Sequence, residues 1–536
     1  MTPFLLRLFD AVRPAVRSMF ARGAAFAAHS EPGPGDQSFT PADVAALHAA
    51  VLPPPGDVLD DATWRDLLLP RYTDLLAPGT SLFGRQVLER DLRAGTGTEA
   101  DAARRARIQA LLDDPARLDA LQGTLACLRH ADIDVAGLLF ADTQPVRPDW
   151  VGRLLWLPVL LVVSIAAALL VSPAGWIGVG VAMYLLTMVH LRYQDRVGRW
   201  TRTLRALQML LRACSLLDGS GLAQAAPFAG LRAPAGRLSR SLDRSLLAAS
   251  GVPGMREYAD WFAAADVRHY YRTLDVVFGR RDFLRDCYRL CAGLDADVAL
   301  ARHLRARTAA GQAWCWADRS GSRTLALDGG VHPLLDDAHG LSVALDGEGA
   351  FLSGQNGVGK STFLRMLGLN LAVARAFGFA YAQHARLPAL PVVASMQNED
   401  SLLGGQSLYI AELARARALL ARARGPQPVV CLVDEIFRGT NHEESVSAAA
   451  AVVEALAQDA LVVVSSHNLV LGTLLAHALA PWRIVRAAGR TGDLVMEPGV
   501  LGRTNGVALL AEHGFDGTVQ RRAEEVAAWL AQRRAA

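Results

Sequence analysis

Residues Gly354 to Ser361 read GQNGVGKS, and this stretch decides the fold. Gly354, Gly359, Lys360 and Ser361 have the P-loop spacing, in which backbone N–H groups of a glycine-rich turn cradle phosphates at the start of a helix. The context fits. Ala350 to Ser353 reads as a strand leading in, and STFLRMLGLNLAVARAF reads as a helix leading out. Lys360 is the one lysine among 55 basic side chains, the rest being arginine. A compact ammonium on a flexible stem reaches between β- and γ-phosphates, where a planar, forked guanidinium is bulkier. The expected nucleotide-binding set is Gly354, Asn356, Gly357, Val358, Gly359, Lys360, Ser361 and Thr362, with ATP as ligand and Ser361 also ligating Mg²⁺.

Two later stretches complete the pattern. VVCLV (Val429 to Val433) is a continuous apolar run typical of a buried parallel strand, and it ends in Asp434-Glu435. An acidic pair at the carboxyl end of a central strand is where Mg²⁺ and an attacking water belong. Asp434 is the expected metal residue, acting through the water shell, and Glu435 the group that polarises the water. A second apolar strand, Leu461 to Val464, ends in Ser465-Ser466-His467. A strand-end histidine is commonly structural. With two motifs in register, His467 is read here as a catalytic residue beside Lys360 and Glu435, placed to sense the γ-phosphate. In EDSLLGGQSLYIAEL (Glu399 to Leu413), Gly404, Gly405, Gln406 and Ser407 resemble the signature motif of ABC-type ATPases. There a helix N-terminus caps the γ-phosphate of the partner subunit, so Ser407 joins the nucleotide-binding set and two chains are needed per site.

The whole 536-residue sequence is 51% hydrophobic with a formal net charge of only +3, so no global electrostatic argument for a nucleic acid or an acidic partner exists. Six scattered cysteines without a CxxC pair or a nearby histidine set favour reduced thiols over a zinc site. The first thirty residues contain Arg7, Arg13, Arg17 and Arg22 and no long apolar core, which excludes a secretory signal and leaves a surface-lying helix or a frayed tail. His29 to Gln37 reads as a linker, and Val58 to Asp142 as helical. Leu154 to Val171 and Trp176 to Leu191 are apolar runs of 18 and 16 residues around Ser172-Pro173-Ala174-Gly175. At about 1.5 Å per residue they reach roughly 27 and 24 Å, slightly short of a hydrocarbon core of about 30 Å. A membrane hairpin is expected, against a buried core hairpin, which would show a polar stripe. Arg147, Arg153, Arg192, Arg196 and Arg199 flank the pair and the turn has none, so both soluble portions are expected on the cytoplasmic side of the inner membrane. Residues 192–245 carry ten arginines against Asp195, Asp218 and Asp243, a segment suited to anionic lipid or, second, to nucleic acid. Helical periodicity returns from 246 to about 315, and strand patterns begin near Thr324.

These motifs resemble the MutS family of ABC-superfamily ATPases. GQNGVGKSTFLRMLGL is similar to the family's GPNMxGKSTxLRQ, with Gln355 and Val358 departing from it. DEIFRGTNHEES resembles DEIGRGTSTxDG with Phe437 in place of glycine. GFAYAQHARL, SSHNLVL, VHPLL and GRTNGVALLAEHGF resemble further family segments, and Ser407 and Glu412 fall at the serine and glutamate of STFMVEM. The likeness is strong over 324–530 and weak over 58–142 and 192–315. It implies an α/β P-loop NTPase domain of the MutS C-terminal type, preceded by an all-α core and lever domain that the hairpin interrupts. The expected organisation is a tail and linker (1–57), helical domain (58–150), transmembrane hairpin (151–193), helical domain continued (194–323) and ATPase domain (324–536). With about 57 residues before the core, a mismatch-wedge domain has no room, and the hairpin stands where a DNA clamp would lie. The resemblance implies an ATP- and Mg²⁺-dependent homodimer, tethered through residues 154–191, with DNA as a possible ligand.

An exporter fragment is the competing reading. The 74-residue separation of Lys360 and Asp434 and the IFRGT that follows Glu435 argue against it. A non-catalytic nucleotide-binding scaffold is disfavoured by the intact Lys360, Asp434, Glu435 and His467.

Overall fold

The computed structural model describes residues 39–51, 58–141, 148–243, 262, 264–320, 323–335, 339–396, 408–486, 494–502 and 505–535. Ser407, with the glycines before it, and the first 38 residues lie outside them. Inside the expected tail, Pro41–Ala50 is a helix, because Thr40 and Asp43 close a capping box and Leu47 is buried.

The helical half is built on two closely packed helices, α1 (Leu82–Ala94) and the 29-residue α5 (Arg281–Ala309). Their separation is set at Gly84, where a Cβ would stand 2.4 Å from Asp295 Oδ2. Asp295 in turn accepts from the N–H and hydroxyl of Ser81, the N-cap of α1, at 2.9 and 2.6 Å.

The apolar hairpin consists of α2 (Trp156–Leu170) and α3 (Gly175–Asp218). Gly175 and Gly178 let the two helices meet, since a Cβ on Gly178 would lie 2.5 Å from Ser164 Oγ. The second apolar run was expected to end at Leu191. Instead α3 continues without a break for 44 residues, about 66 Å, through the basic segment. Tyr193, Trp200, Leu204, Leu207, Leu211 and Cys214 keep a buried stripe at helical spacing along that extension, and the arginines occupy the rest of the surface. The hairpin buries Leu161, Ala182 and Leu186 with Ala264 but is otherwise largely exposed, Leu170 by 84% and Ile177 by 72%, and the span Trp150–Leu170, which contains α2, and α3 are each long and apolar enough to cross a membrane. Helix α4 (Ala265–Gly279) packs beside α3 through Tyr193, Tyr271 and Trp200.

Strands begin at Cys315, upstream of Thr324. β1 (Cys315–Trp316), β2 (Asp318–Ser320), β3 (Thr324–Gly330) and β4 (Leu341–Asp346) precede β5 (Gly349–Gly354). Then come α6 (Lys360–Phe377), β6 (Phe379–Ala380), β7 (His384–Pro388), β8 (Val392–Ser395) and α7 (Leu408–Ala423). β9 (Val430–Asp434), α8 (His442–Asp459), β10 (Leu461–Ser465), β11 (Leu479–Arg486) and β12 (Leu494–Pro498) follow. The main sheet has the order β12-β11-β5-β10-β9-β8, parallel throughout except for β12. β5, β9 and β10 are buried along their whole length, as unbroken apolar runs between two layers of helices must be. A four-stranded sheet, β2-β7-β3-β4, and the short β1-β6 pair complete the α/β half.

The two halves are joined by polar groups. The edge strand β8 and the residue after it give the N–H groups of Ala394 and Met396 to Thr63 Oγ1 and Asp66 Oδ2, both at 2.9 Å, from the short helix Asp61–Asp66. At the far end of α6, Arg104 donates to Ala376 O, Arg319 donates to Thr96 O and pairs with Asp101, and Arg375 donates to Ala94 O. Burial pushes the Asp66 carboxyl up to about 6, against the hydrogen bond from Met396. Its folded value lies above the ordinary 3.8, so the cost of charging it is absent below pH 4, grows as pH rises and is complete above 6. Asp66→Asn keeps an acceptor without the charge. It is expected to stabilise the protein by about 2 kcal/mol at pH 7 and by close to nothing at pH 4. Urea unfolding at the two pH values checks this, and equal effects at both would refute it.

Candidate functional site

β5, β10 and β9 are adjacent and parallel, with Val463–Ser465 in register with Ala350–Leu352 and Ser465 in register with Asp434. Their carboxyl ends therefore open onto one edge of the sheet, and the three motifs read from the sequence meet there.

The loop after β5 is shaped for close backbone approach. Gly357 and Gly359 have φ of 75° and 103°, and a Cβ on Gly354 would stand 2.8 Å from Val358 Cγ1. Val358 N–H closes the turn onto Gln355 O at 3.3 Å, and Asn356 N–H donates to Asn505 Oδ1 at 2.8 Å. Gly359 is the N-cap of α6, so Lys360, Ser361 and Thr362 form its first turn, with N–H groups that have no partner inside the helix.

Lys360 is buried. Its Nζ donates to the carbonyls of Gly354 (3.1 Å) and Gln355 (3.3 Å) and lies 3.3 Å from His467 Nδ1. An ammonium has only donors, so Nδ1 accepts and the imidazole proton sits on Nε2. That Nε2 meets Glu435 Oε1. Arg438 Nε holds the other Glu435 oxygen at 3.2 Å. Lys360, His467, Glu435 and Arg438 thus form one continuous chain. Burial opposes ionisation of Glu435, but the bond from His467 and the charges of Arg438 and Lys360 outweigh it and hold the carboxyl below its ordinary range. Burial draws the Lys360 ammonium below its usual value, against the pull of Glu435 and Asp434.

Asp434 is tied on one side only. Ser465 Oγ donates to its Oδ1, while Oδ2 is buried and has no hydrogen-bond partner. A buried carboxylate oxygen without a donor is costly, and the hydrated shell of a divalent cation would satisfy it. With this atom, the two positive-φ glycines and the unpaired N–H groups of α6, the residues fit a magnesium nucleotide. Among the described residues no group of three or more His, Cys, Asp or Glu could hold a metal by itself. A divalent ion here would accordingly share its ligands with phosphate oxygens.

Three features are not evident from the motifs. Glu435 and Phe437 both have left-handed backbone, φ 52° and 58°, with a side chain in each case. The Glu412 carboxylate on α7 accepts the N–H groups of Arg438 (3.0 Å) and Gly439 (3.2 Å), fixing the loop after Glu435 to the helix that follows Ser407. Gly439 has to be glycine for that contact, since its Cβ would lie 2.7 Å from Tyr409 N. Asn505, next to Gly506 in an Asn-Gly turn signal, is the third.

The family model described as MutS domain V matches residues 350–528. This domain belongs to the MutS family. The DNA mismatch repair protein MutS of Synechococcus sp. (strain CC9311) is 31% identical over 264 residues, covering 46% of this chain and 28% of that protein. The protein of the same name from Thermus aquaticus is 29% identical over 260 residues, covering 47% and 31%. That of Dinoroseobacter shibae is 35% identical over 185 residues, covering 32% and 20%. The chain thus spans less than a third of the length of these MutS relatives.

The family segment DEIGRGT has glycine where this domain has Phe437, whose positive φ explains why glycine suits the position. Here the ring is fully buried, edge-on to Tyr409 at 5.9 Å between centroids. Losing a buried phenyl costs about 3–5 kcal/mol and relieving the left-handed backbone returns about 1–2. Phe437→Gly is therefore expected to lower stability by about 2–3 kcal/mol despite matching the family. Chemical denaturation of the two proteins decides it: an unchanged or higher midpoint in the variant would show that the backbone term dominates.

Proposed function

We propose that this protein is a MutS-type ATPase, a homodimeric switch tethered to the inner membrane with its folded domains in the cytoplasm. The observation that carries the ATPase reading is the Lys360–His467–Glu435 chain at the carboxyl ends of three adjacent strands. Lys360 and the N–H groups of Gly357 to Lys360 would hold the β- and γ-phosphates of ATP, and Asp434 with Ser361 would hold Mg²⁺, whose chemistry is to neutralise charge on the phosphate oxygens. Glu435, ionised at neutral pH, would orient a water molecule and take its proton as the water oxygen attacks the γ-phosphorus and ADP departs. His467 would keep Glu435 in place and donate through Nε2, and Arg438 would fix the second carboxylate oxygen.

Dimerisation follows from Ser407, which would face the γ-phosphate of the partner's nucleotide. Closure of two such domains would pull on α7, and Glu412 ties α7 to the loop of Glu435, so the two events would be mechanically linked. The membrane reading is supported by an apolar hairpin most of whose side chains are exposed among the described residues and by arginines at its open end. DNA contact, suggested by relatives that are DNA mismatch repair proteins, belongs to the same proposal.

Lys360→Ala is expected to abolish ATP turnover, and Glu435→Gln to retain ATP binding while slowing turnover by about 10²–10⁴-fold. Undiminished hydrolysis by purified Lys360→Ala protein would sink the ATPase reading. The DNA part is read from the turnover rate with duplex, branched and single-stranded DNA. Stimulation that weakens as salt rises is expected if phosphates are gripped, whereas a flat response removes DNA from the proposal.

A further inference from the structure

Where α3 leaves the hairpin, Arg196, Arg199, Trp200 and Thr203 follow one another at i, i+3, i+4 and i+7 and so share one face of the helix. With Ile133 and Tyr270 of α4 they line a cleft of about 400 Å³. No carboxylate lines it. Its aromatic floor is fixed: the rings of Trp200 and Tyr270 meet edge to face at 5.5 Å, and Trp200 Nε1 donates to Thr273 Oγ1 at 2.8 Å. The two arginines are exposed at the mouth. Arg196 lies over the ring of Tyr193 at 5.6 Å, and neither guanidinium has a carboxylate partner among the described residues.

The depth of the cleft relative to the hairpin selects its ligand. The apolar run ends at Leu191, and Arg196 is five residues further, about 7–8 Å along the helix axis. The headgroup layer on each side of a bilayer's hydrocarbon core is about 5–8 Å thick. If the hairpin is inserted, the two guanidinium groups stand at the level of the lipid phosphates, with the exposed ring of Trp150, packed on Tyr193, nearby, a ring type that settles at a membrane interface.

We propose that this cleft is a binding site for the headgroup of an anionic glycerophospholipid, a reading that rests on insertion of the hairpin. Arg196 and Arg199 grip the phosphate through paired N–H donors, and Ile133, Trp200 and Tyr270 contact the glycerol and the first methylenes. A free phosphate ion would use the arginines alone and gain nothing from the apolar floor. The site lies on the same rigid helix as the hairpin, so its occupancy anchors α3 against sliding along the membrane normal.

The test uses the full-length protein in nanodiscs of phosphatidylcholine alone and with 30% phosphatidylglycerol, followed by thermal unfolding. Phosphatidylglycerol is expected to raise Tm by several degrees, since a ligand bound only by the folded state stabilises it. Arg196→Gln/Arg199→Gln is expected to match the wild type in pure phosphatidylcholine, which shows that it folds, and to lose most of the rise. Arg205→Gln, an exposed arginine on the opposite side of α3, is expected to keep it. An equal rise in the double variant, or an equal loss in Arg205→Gln, overturns the site and leaves only general surface charge. A comparable rise caused by inorganic phosphate in pure phosphatidylcholine overturns the lipid as ligand. Flotation with neutral phosphatidylcholine vesicles in 1 M salt separates the premise from the proposal: protein that stays in solution refutes the inserted hairpin, whereas protein that floats but shows no phosphatidylglycerol effect refutes the headgroup site alone.

Discussion

The side-by-side parallel pairing of β5, β10 and β9 is the constraint on which the rest depends. Parallel strands have to be covered on both faces, so β9 and β10 are short apolar runs whose one polar residue is the last of the strand. The register then fixes where those polar groups fall: Ser465 lies opposite Asp434, and the loops of Lys360 and His467 open beside them. A slip of one residue in β10 would turn Ser465 away from Asp434 and carry His467 off Glu435. Hydrophobic burial thus sets the position of every charge in the site, and the ion pairs refine it.

That logic explains why the site was largely legible in the sequence. GQNGVGKS, VVCLVDE and LVVVSSH each join an unbroken apolar strand to an abrupt polar end, and the structure brings Lys360, Asp434, Glu435 and His467 to one edge, as the motifs required. The less legible parts lack a periodic signal. β1 and β2 have two and three residues, too short for alternation to show, so the sequence pattern starts only at Thr324. Helix α3 runs past Leu191 because a narrow buried stripe persists beneath the arginines, and dense charge masks such a stripe. The helix at Pro41–Ala50 hangs on the Thr40–Asp43 cap within a proline- and glycine-rich neighbourhood. The left-handed backbone at Glu435 and Phe437 has no glycine to announce it. It is held by neighbours distant in sequence, Tyr409 against the Phe437 ring and Glu412 on the N–H groups that follow.

The helical half and the α/β half meet through apolar contact, Leu67 against Gly368 and Tyr72 edge-on to Tyr381, and through arginine and capped backbone groups. Arg104, Arg319 and Arg375 gather the carbonyl end of α6, and Thr63 and Asp66 complete the exposed edge of β8. Forked guanidinium groups suit this role because each reaches two or three acceptors at fixed angles. Those polar bonds are directional and are lost if the halves rotate. The two ends of α6 accordingly differ in function. Its first turn faces the phosphate loop, and its last is bolted to the helices.

The choice of arginine everywhere except at position 360 has a chemical corollary. Guanidinium does not acylate under conditions where amines do, so among the side chains amine-directed reagents, lysine acylation and lysine-specific proteolysis all converge on Lys360, which is 5% exposed and held between two carbonyls and an imidazole. The outer surface of the folded protein is silent to that chemistry. Any lysine label it does acquire reports the opening of one loop.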